Sequence, residues 1–174
     1  MINHPFQTLT LSNGAKLIFT PCPGSQSVGL DESMGQLKHA GVSMLLTLMF
    51  EGEMLANNIS TLPSLCNALQ ITWLHLPIVD DEAPQVPFEQ QWVLNKALIL
   101  EEINNKGVVA VHCKGGTGRT GTVIALILLQ LGWSALKIQH EVQRLKPKAL
   151  KINKQIDYLN RKLDDSVEVF YLAK

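Results

Sequence analysis

The pattern of apolar and polar positions divides the chain into short apolar runs and longer amphipathic stretches. The apolar runs predict strands, and in chain order they are TLTL, KLIF, VSMLLTLM, ITWLHLPIV and GVVAVHC. Asn13-Gly14 stands between the first two runs and is a hairpin signal. Helical spacing and stop signals predict helices over 32–40, 60–69, 88–104, 122–132, 135–146 and 153–163.

Some segments and boundaries have less regular patterns. Asp31 is a candidate N-cap for the first helix. The proline-rich segments TPCPGSQSVG and DDEAPQVP predict irregular loops. The final SVEVFYLAK is compatible with either a strand or a helix extension.

Helices that alternate with buried strands predict an α/β fold with a mostly parallel central sheet flanked by helices. The chain has 174 residues and is 46% hydrophobic, which is enough for one core. We therefore expect a single domain over 1–174, with an N-terminal hairpin at about 7–20 and the core at about 21–164.

Charge and composition narrow the possible partners. Fifteen Lys and Arg residues balance fifteen Asp and Glu residues, so no overall field favours nucleic acid or an anionic membrane. The strongest apolar run, 123–129, is much shorter than a membrane span, and the N-terminus lacks the pattern of a signal peptide. Three widely spaced cysteines without CxxC spacing favour neither disulfides nor zinc. We expect a soluble cytoplasmic protein that neither binds nucleic acid nor inserts into a membrane. The oligomeric state stays open.

The segment 111–121, VHCKGGTGRTG, carries the clearest chemistry. It places Cys113 at the end of a strand and Arg119 at the start of a helix. Glycines let backbone N–H groups converge on one point, and a helix N-terminus adds free donors and positive potential, so the segment is suited to a phosphate. The same field favours a cysteine thiolate, and Arg119 can clamp phosphate oxygens. The predicted substrate-binding residues are Lys114, Gly115, Gly116, Thr117, Gly118 and Arg119.

Three other interpretations fit parts of this segment. GTGRTG matches the dinucleotide fingerprint GxGxxG, but Glu141, about 20 residues further on, lies in a predicted helix. The nucleotide P-loop pattern fails because its first glycine would be Cys113 and its lysine would be Arg119. A buried structural cysteine is the simplest alternative. It leaves the glycines and Arg119 without a role.

His112-Cys113, five further residues and Arg119-Thr120 form the signature HCx5R[ST]. The chain resembles the protein tyrosine and dual-specificity phosphatase superfamily from about residue 21 to 159, especially the small atypical dual-specificity phosphatases of the kinase-associated type. The resemblance implies hydrolysis of phosphate monoesters on phosphoproteins through a phosphocysteine intermediate, with Cys113 as nucleophile and no metal or organic cofactor. It implies phosphotyrosine as substrate and leaves phosphoserine and phosphothreonine open.

The resemblance also assigns roles near the leaving group and the sulfur. Asp80 is the general acid by its offset from Pro77, and Asp81 is the alternative. Thr120 stabilises the departing thiolate, although a Thr at this place could equally cap a helix. His112 tunes the thiolate through the backbone without transferring protons.

Two further roles are implied less directly. Gln155 matches the later of two glutamines that position water, and Lys151 or a neighbour stands where the earlier one is expected. Either Glu53 or Glu51 could orient Arg119, or form an exposed acidic helix start.

Three other functions are compatible with a Cys-x5-Arg loop. A phosphoinositide or other small phosphate-ester phosphatase is the main alternative, but such enzymes often carry a lysine where this chain has Thr117. A sulfurtransferase or arsenate reductase is disfavoured by the flanking His112 and Thr120. A non-catalytic phosphopeptide-binding module is disfavoured because the nucleophile, the clamp and a candidate acid are all present.

Overall fold

A computed structural model describes residues 3–163 and 168–172. Five strands form in this part of the chain: β1 (Gln7–Thr10), β2 (Lys16–Thr20), β3 (Met44–Thr47), β4 (Thr72–His75) and β5 (Val108–His112). Seven helices accompany them: α1 (Leu30–His39), α2 (Glu51–Ala56), α3 (Leu62–Ala68), α4 (Val86–Asn104), α5 (Gly118–Gln130), α6 (Ala135–Leu145) and α7 (Asn153–Asn160). The predicted α/β class is confirmed.

The strands form one sheet in the order β1-β2-β5-β3-β4. The hairpin β1-β2 is antiparallel, and the other three neighbouring pairs are parallel. β5 lies in the middle because its run VVAVH is apolar on both faces and pairs with β2 on one side and β3 on the other. The carboxyl end of this central strand, where ligands bind in open α/β sheets, leads directly into the candidate phosphate loop.

Successive side chains of a strand point to opposite faces of the sheet, and each face has its own hydrophobic core. Val109 and Val111 of β5 pack on the face covered by α4 to α7, whereas Ala110 packs on the face covered by α1 to α3. α5 is the most buried helix of the first face, with ten of its thirteen residues buried. A helix held on nearly all sides gives the loop before it a rigid support.

Three predicted helix boundaries need correction. Gly29 is the N-cap of α1 and Asp31 lies in its first turn, so the prediction of Asp31 as cap is wrong. α4 begins at Val86, two residues before the predicted start, because a proline is tolerated in the first turn of a helix. α5 begins at Gly118, four residues early, and therefore includes the arginine of the signature.

Two elements differ more from the sequence pattern. The short helix α2 is separated from the end of β3 by three residues and was not predicted as an element, although an acidic helix start at Glu51 or Glu53 was one of the alternatives. Of the final SVEVFYLAK, residues 168–172 form neither helix nor strand, and residues 166–167 and 173–174 lie outside the described part. Within the described ranges, no helix is long and apolar enough to cross a membrane.

Candidate active site

The loop between β5 and α5 packs against the end of β2. Gly116 has φ +66°, and a Cβ added there would lie 2.5 Å from backbone atoms of Thr20 and Pro21. Backbone cannot move aside as a flexible side chain can, so this position requires glycine for both its conformation and its contact. The hydrogen bond from Cys22 N to the Lys114 carbonyl, 3.0 Å long, ties the other end of the loop to the same segment.

Cys113 lies at the base of this loop, with 4% of its surface exposed. The Thr120 hydroxyl donates a hydrogen bond to its Sγ at 3.2 Å. Thr117, not Thr120, occupies the N-cap position of α5. The Thr120 hydroxyl is therefore directed at the sulfur atom and does not cap the helix.

The Arg119 guanidinium is buried, with 1% exposure, and is held on one side by a carboxylate. Nη1 and Nη2 donate to the two oxygens of Glu53 at 2.8 and 3.1 Å, and Nη1 also donates to the Ile78 carbonyl at 3.0 Å. Burial lowers the pKa of Arg119, but the hydrogen bond with Glu53 and the charges of Cys113, Glu53 and Asp80 outweigh this and raise the pKa above its usual value. Arg119 stays charged throughout the working range of pH.

The opposite side of Arg119 faces Asp80. Asp80 Oδ1 forms an ion pair with Nη2 at 2.9 Å. Nε, although buried, has no hydrogen-bond partner in the part of the chain that the structure describes. An unpaired buried donor costs about 1 to 3 kcal/mol, so this edge of the guanidinium is suited to an anion.

Asp80 belongs to a tight turn fastened to α7. Glu82 N donates to the Val79 carbonyl at 3.1 Å, and Asp81 adopts φ +59°, with an exposed side chain. The buried Gln155 side chain donates to the Glu82 carbonyl at 3.1 Å. Lys154 also pairs with the Glu82 carboxylate at 2.5 Å. α7 thus determines where the turn, and with it Asp80, stands relative to Arg119.

A buried network of hydrogen bonds runs behind Cys113. His112 Nδ1 is 3.3 Å from the Cys113 carbonyl, which can only accept, so Nδ1 carries the proton. Burial lowers the pKa of His112 to about 4, and the ring is neutral at pH 7. Nε2 is then an acceptor for the Thr47 hydroxyl at 2.7 Å, and Trp73 Nε1 donates to Thr47 at 2.8 Å. These hydrogen bonds therefore orient the Cys113 backbone, and none of the side chains that form them is charged.

The site opens into a cavity of about 680 Å³. Its walls come from the phosphate loop, residues 24–26, residues 56–58 and the turn at 80–81. The predicted residues that line it are Asp80, Asp81, Cys113, Lys114, Gly115, Thr117, Gly118 and Arg119. Within the described ranges, no three His, Cys, Asp or Glu side chains come together as a possible metal site.

The structure separates the alternatives that the sequence left open beside this cavity. Glu53 contacts Arg119, whereas Glu51 is exposed at the start of α2. Gln155 lies against the phosphate loop, because its amide would be 3.7 Å from a Cβ on Gly118. Lys151 is exposed outside the cavity wall.

Several contributors were missed by sequence reasoning. They are Thr47, Trp73, the Ile78 carbonyl and Glu82. Thr47 alone had a signal, because it is a polar residue inside the apolar run VSMLLTLM and its hydroxyl needs a partner when buried. A backbone carbonyl such as that of Ile78 leaves no trace in a sequence.

Comparison with known families agrees with this geometry. The model of the Swiss Army Knife protein, DSP-PTPase phosphatase domain, matches residues 24–169, which is most of the chain. The chain belongs to this family. It is therefore a phosphatase of the dual-specificity and tyrosine phosphatase superfamily, as its signature led us to expect. The comparison with curated proteins gave no match.

Solved structures share the fold of this phosphatase. The kinase associated phosphatase, in a form with its catalytic cysteine replaced by serine, is 22% identical, with a TM-score of 0.82 over 93% of this chain and 95% of that one. The active form of Tk-PTP is 27% identical, with a TM-score of 0.63 over 83% and 89%. PTPMT1 in complex with PI(5)P is 16% identical, with a TM-score of 0.65 over 83% and 88%.

Proposed function

We propose that this phosphatase hydrolyses phosphate monoesters on phosphoproteins through a phosphocysteine intermediate, with phosphotyrosine as the main substrate. The nucleophile is Cys113, the phosphate clamp is Arg119 and the general acid is Asp80. The observation that carries the proposal is the set of donors that Arg119 keeps available beside a cysteine at a helix N-terminus.

Arg119 has five N–H donors. Three form hydrogen bonds with the protein, and a fourth, on Nη2, faces Asp80 at 2.9 Å. Both donors of Nη1 and one of Nη2 are engaged by Glu53 and the Ile78 carbonyl. Nε and the second N–H of Nη2 lie along one edge of the planar group, which is the fork that binds two phosphate oxygens. Asp80 stands at this edge, 2.9 Å from Nη2, so a phosphate held there would have the acid as a neighbour.

In the first step the Cys113 thiolate attacks phosphorus and the bond from phosphorus to the ester oxygen breaks. The Asp80 carboxyl gives its proton to the departing oxygen, which leaves as the alcohol or phenol. Backbone N–H groups of the loop and Arg119 stabilise the negative charge on the equatorial oxygens. The product of this step is the phosphocysteine.

In the second step a water molecule attacks the phosphocysteine and gives a proton to the Asp80 carboxylate. The bond between sulfur and phosphorus breaks, and Cys113 leaves as a thiolate. The Thr120 hydroxyl, 3.2 Å from Sγ, stabilises this leaving group by donating a hydrogen bond. Gln155 holds the turn through Glu82 and acts here as a positioning residue, and its amide beside Gly118 is the candidate for orienting the water.

A second candidate is hydrolysis of phosphoinositides or other small phosphate esters. PTPMT1, which shares the fold, was solved with PI(5)P. In this chain, Thr117 stands at the loop position where such enzymes often carry a second lysine, which favours the phosphoprotein. A panel of phosphotyrosine, phosphoserine and phosphothreonine peptides, with inositol phosphates alongside, distinguishes the two candidates.

The mechanism is tested with a small aryl phosphate in the presence of excess chelator. We expect wild-type turnover, inhibition by vanadate, and no turnover by Cys113→Ser, which should still bind vanadate because the loop persists. Cys66→Ala, a change of another buried cysteine, is the control and should keep its activity. If Cys113→Ser keeps a tenth of the activity, or if turnover requires added divalent metal, the phosphocysteine mechanism is wrong.

A further inference from the structure

A second cavity, of about 520 Å³, lies beside α2. Four residues of this short helix line it, namely Glu51, Gly52, Met54 and Leu55. Trp73 of β4 lines it as well. None of these five residues lines the cavity of the candidate active site, so the two cavities are separate.

The helix α2 separates this second cavity from Arg119. In an α-helix, residues 51, 54 and 55 share one face and residue 53 lies on the opposite face. Glu53 holds the Arg119 guanidinium at 2.8 and 3.1 Å, and it also accepts a hydrogen bond from Phe50 N at 3.2 Å. The helix that forms a wall of the second cavity therefore also carries the residue that orients Arg119.

Trp73 provides another connection to the active site. Its indole ring lines the second cavity, and its Nε1 donates to the Thr47 hydroxyl at 2.8 Å. Thr47 in turn forms a hydrogen bond with His112, the residue before Cys113. A molecule in contact with Trp73 therefore contacts the network that orients the Cys113 backbone.

The side chains around the second cavity indicate what it can bind. The lining is mostly apolar, and Leu55 is 69% exposed. Glu51 is the one charged lining residue, and it forms no ion pair among the residues that the structure describes. An aromatic ring can cover Leu55 and Trp73 while an attached ammonium pairs with Glu51. The volume lies within the range of small-molecule sites, about 300 to 1,000 Å³.

We propose that the second cavity binds a small aromatic cation, and that this ligand strengthens anion binding at Arg119. Met54 is the only buried residue of α2, so few buried contacts hold the helix in place. A ligand that covers Leu55 and pairs with Glu51 adds contacts that favour this position of the helix, and with it the position of Glu53. An anion at Arg119 then binds with a smaller loss of conformational freedom.

The binding site is tested by calorimetry with two probes that share one ring, phenethylammonium and the neutral 2-phenylethanol. Wild-type protein should bind the cation about three- to fivefold more tightly at low salt, and this preference should shrink as salt is added. Glu51→Gln should remove the preference, whereas Glu101→Gln, a change of an exposed carboxylate on α4, should keep it. Gly52→Leu should prevent binding of both probes, because a Cβ at Gly52 meets nothing within 4 Å and the larger side chain can fill the cavity.

The effect on Arg119 is tested with vanadate, which requires no turnover. Saturating phenethylammonium should tighten vanadate binding about two- to fivefold, and vanadate should tighten phenethylammonium binding by the same factor, because coupling between two sites is reciprocal. In Gly52→Leu, phenethylammonium should leave the vanadate affinity unchanged. Thermal unfolding of this variant shows whether it keeps the wild-type fold.

These measurements separate failure of this inference from failure of the proposed function. If wild-type protein neither binds vanadate nor hydrolyses an aryl phosphate, the proposed function fails, and calorimetry with the two probes alone still tests the cavity. If the alcohol binds as tightly as the cation, or if folded Gly52→Leu binds both like wild type, the assigned site is wrong. A vanadate affinity that saturating phenethylammonium does not raise refutes the coupling. A dimer that Gly52→Leu abolishes, in a protein that binds neither probe, makes a second copy the occupant and overturns the proposal.

Discussion

The Glu53 carboxylate holds the Arg119 guanidinium through two hydrogen bonds of 2.8 and 3.1 Å, across 66 positions in sequence. This contact engages one edge of the guanidinium and leaves the edge with Nε available. The orientation of Arg119, the proposed phosphate clamp, thus depends on a residue of α2. This helix packs in the core on the opposite face of the sheet from α5.

Glu53→Gln should therefore lower kcat/KM for an aryl phosphate by about 10- to 100-fold, because a misdirected clamp holds the phosphate in the wrong place. Stability should fall by about 1 to 3 kcal/mol, since the buried Arg119 loses a charged partner. Enzyme kinetics and urea unfolding measure the two effects. Glu51→Gln, in the same helix turn but exposed, is the matched control, and equal losses in both variants would contradict the role of Glu53.

Asp80→Asn should lower kcat by about 10² to 10⁴-fold with little change in substrate affinity, because general acid catalysis contributes that much. The loss should be largest for alkyl phosphates and phosphoserine, whose leaving groups need the proton most, and milder for activated aryl esters. Steady-state kinetics over a series of leaving groups measures it. Both side chains are exposed, but only Asp80 pairs with Arg119, so Asp81→Asn should change little. The reverse result would move the acid to Asp81.

Gly116→Ala should distort the phosphate loop, because its Cβ would meet the backbone of Thr20 and Pro21 at 2.5 Å in a positive-φ conformation. We expect a loss of about 1 to 3 kcal/mol in unfolding free energy and a loss of most aryl phosphatase activity. Gly115→Ala is the neighbouring control, since a Cβ there meets nothing within 4 Å. Urea unfolding and kinetics on both variants decide the point, and a Gly116→Ala variant as stable and active as Gly115→Ala would refute it.

His112 should make the protein less stable in mild acid. Its pKa is about 4 in the folded protein and about 6.5 when unfolded, so the unfolded chain binds the proton more tightly. The neutral ring contributes on the order of 3 kcal/mol to the free energy of unfolding. This contribution is fully present above pH 6.5 and is lost as pH falls toward 4. Urea unfolding at several pH values should show a shallower decline for His112→Gln than for wild type. Parallel curves for the two proteins would contradict this linkage.

Local patterns predicted most of the elements, although not all of their limits. The apolar β-branched run at 108–112 predicted β5, and the helical spacing at 88–104 predicted α4. The turn signal Asn13-Gly14 predicted the hairpin β1-β2. Some predicted limits were wrong: α1 begins at Leu30 with Gly29 as its N-cap, although Asp31 is the better capping residue. The short helix α2 was missed because six residues are too few for a periodic pattern.

By itself the sequence determined the α/β class and the chemistry of the loop, because glycine spacing, Cys113 and Arg119 lie within seven consecutive positions and share one local geometry. Only the tertiary structure decided which distant groups complete it. In the folded protein, Glu53 rather than Glu51 pairs with Arg119. Thr47 forms hydrogen bonds with both His112 and Trp73. Gln155 of α7 forms a hydrogen bond with the turn that carries Asp80. These contacts join different strands and helices, and their partners are set by sheet order and side-chain direction, which no local pattern of residues encodes.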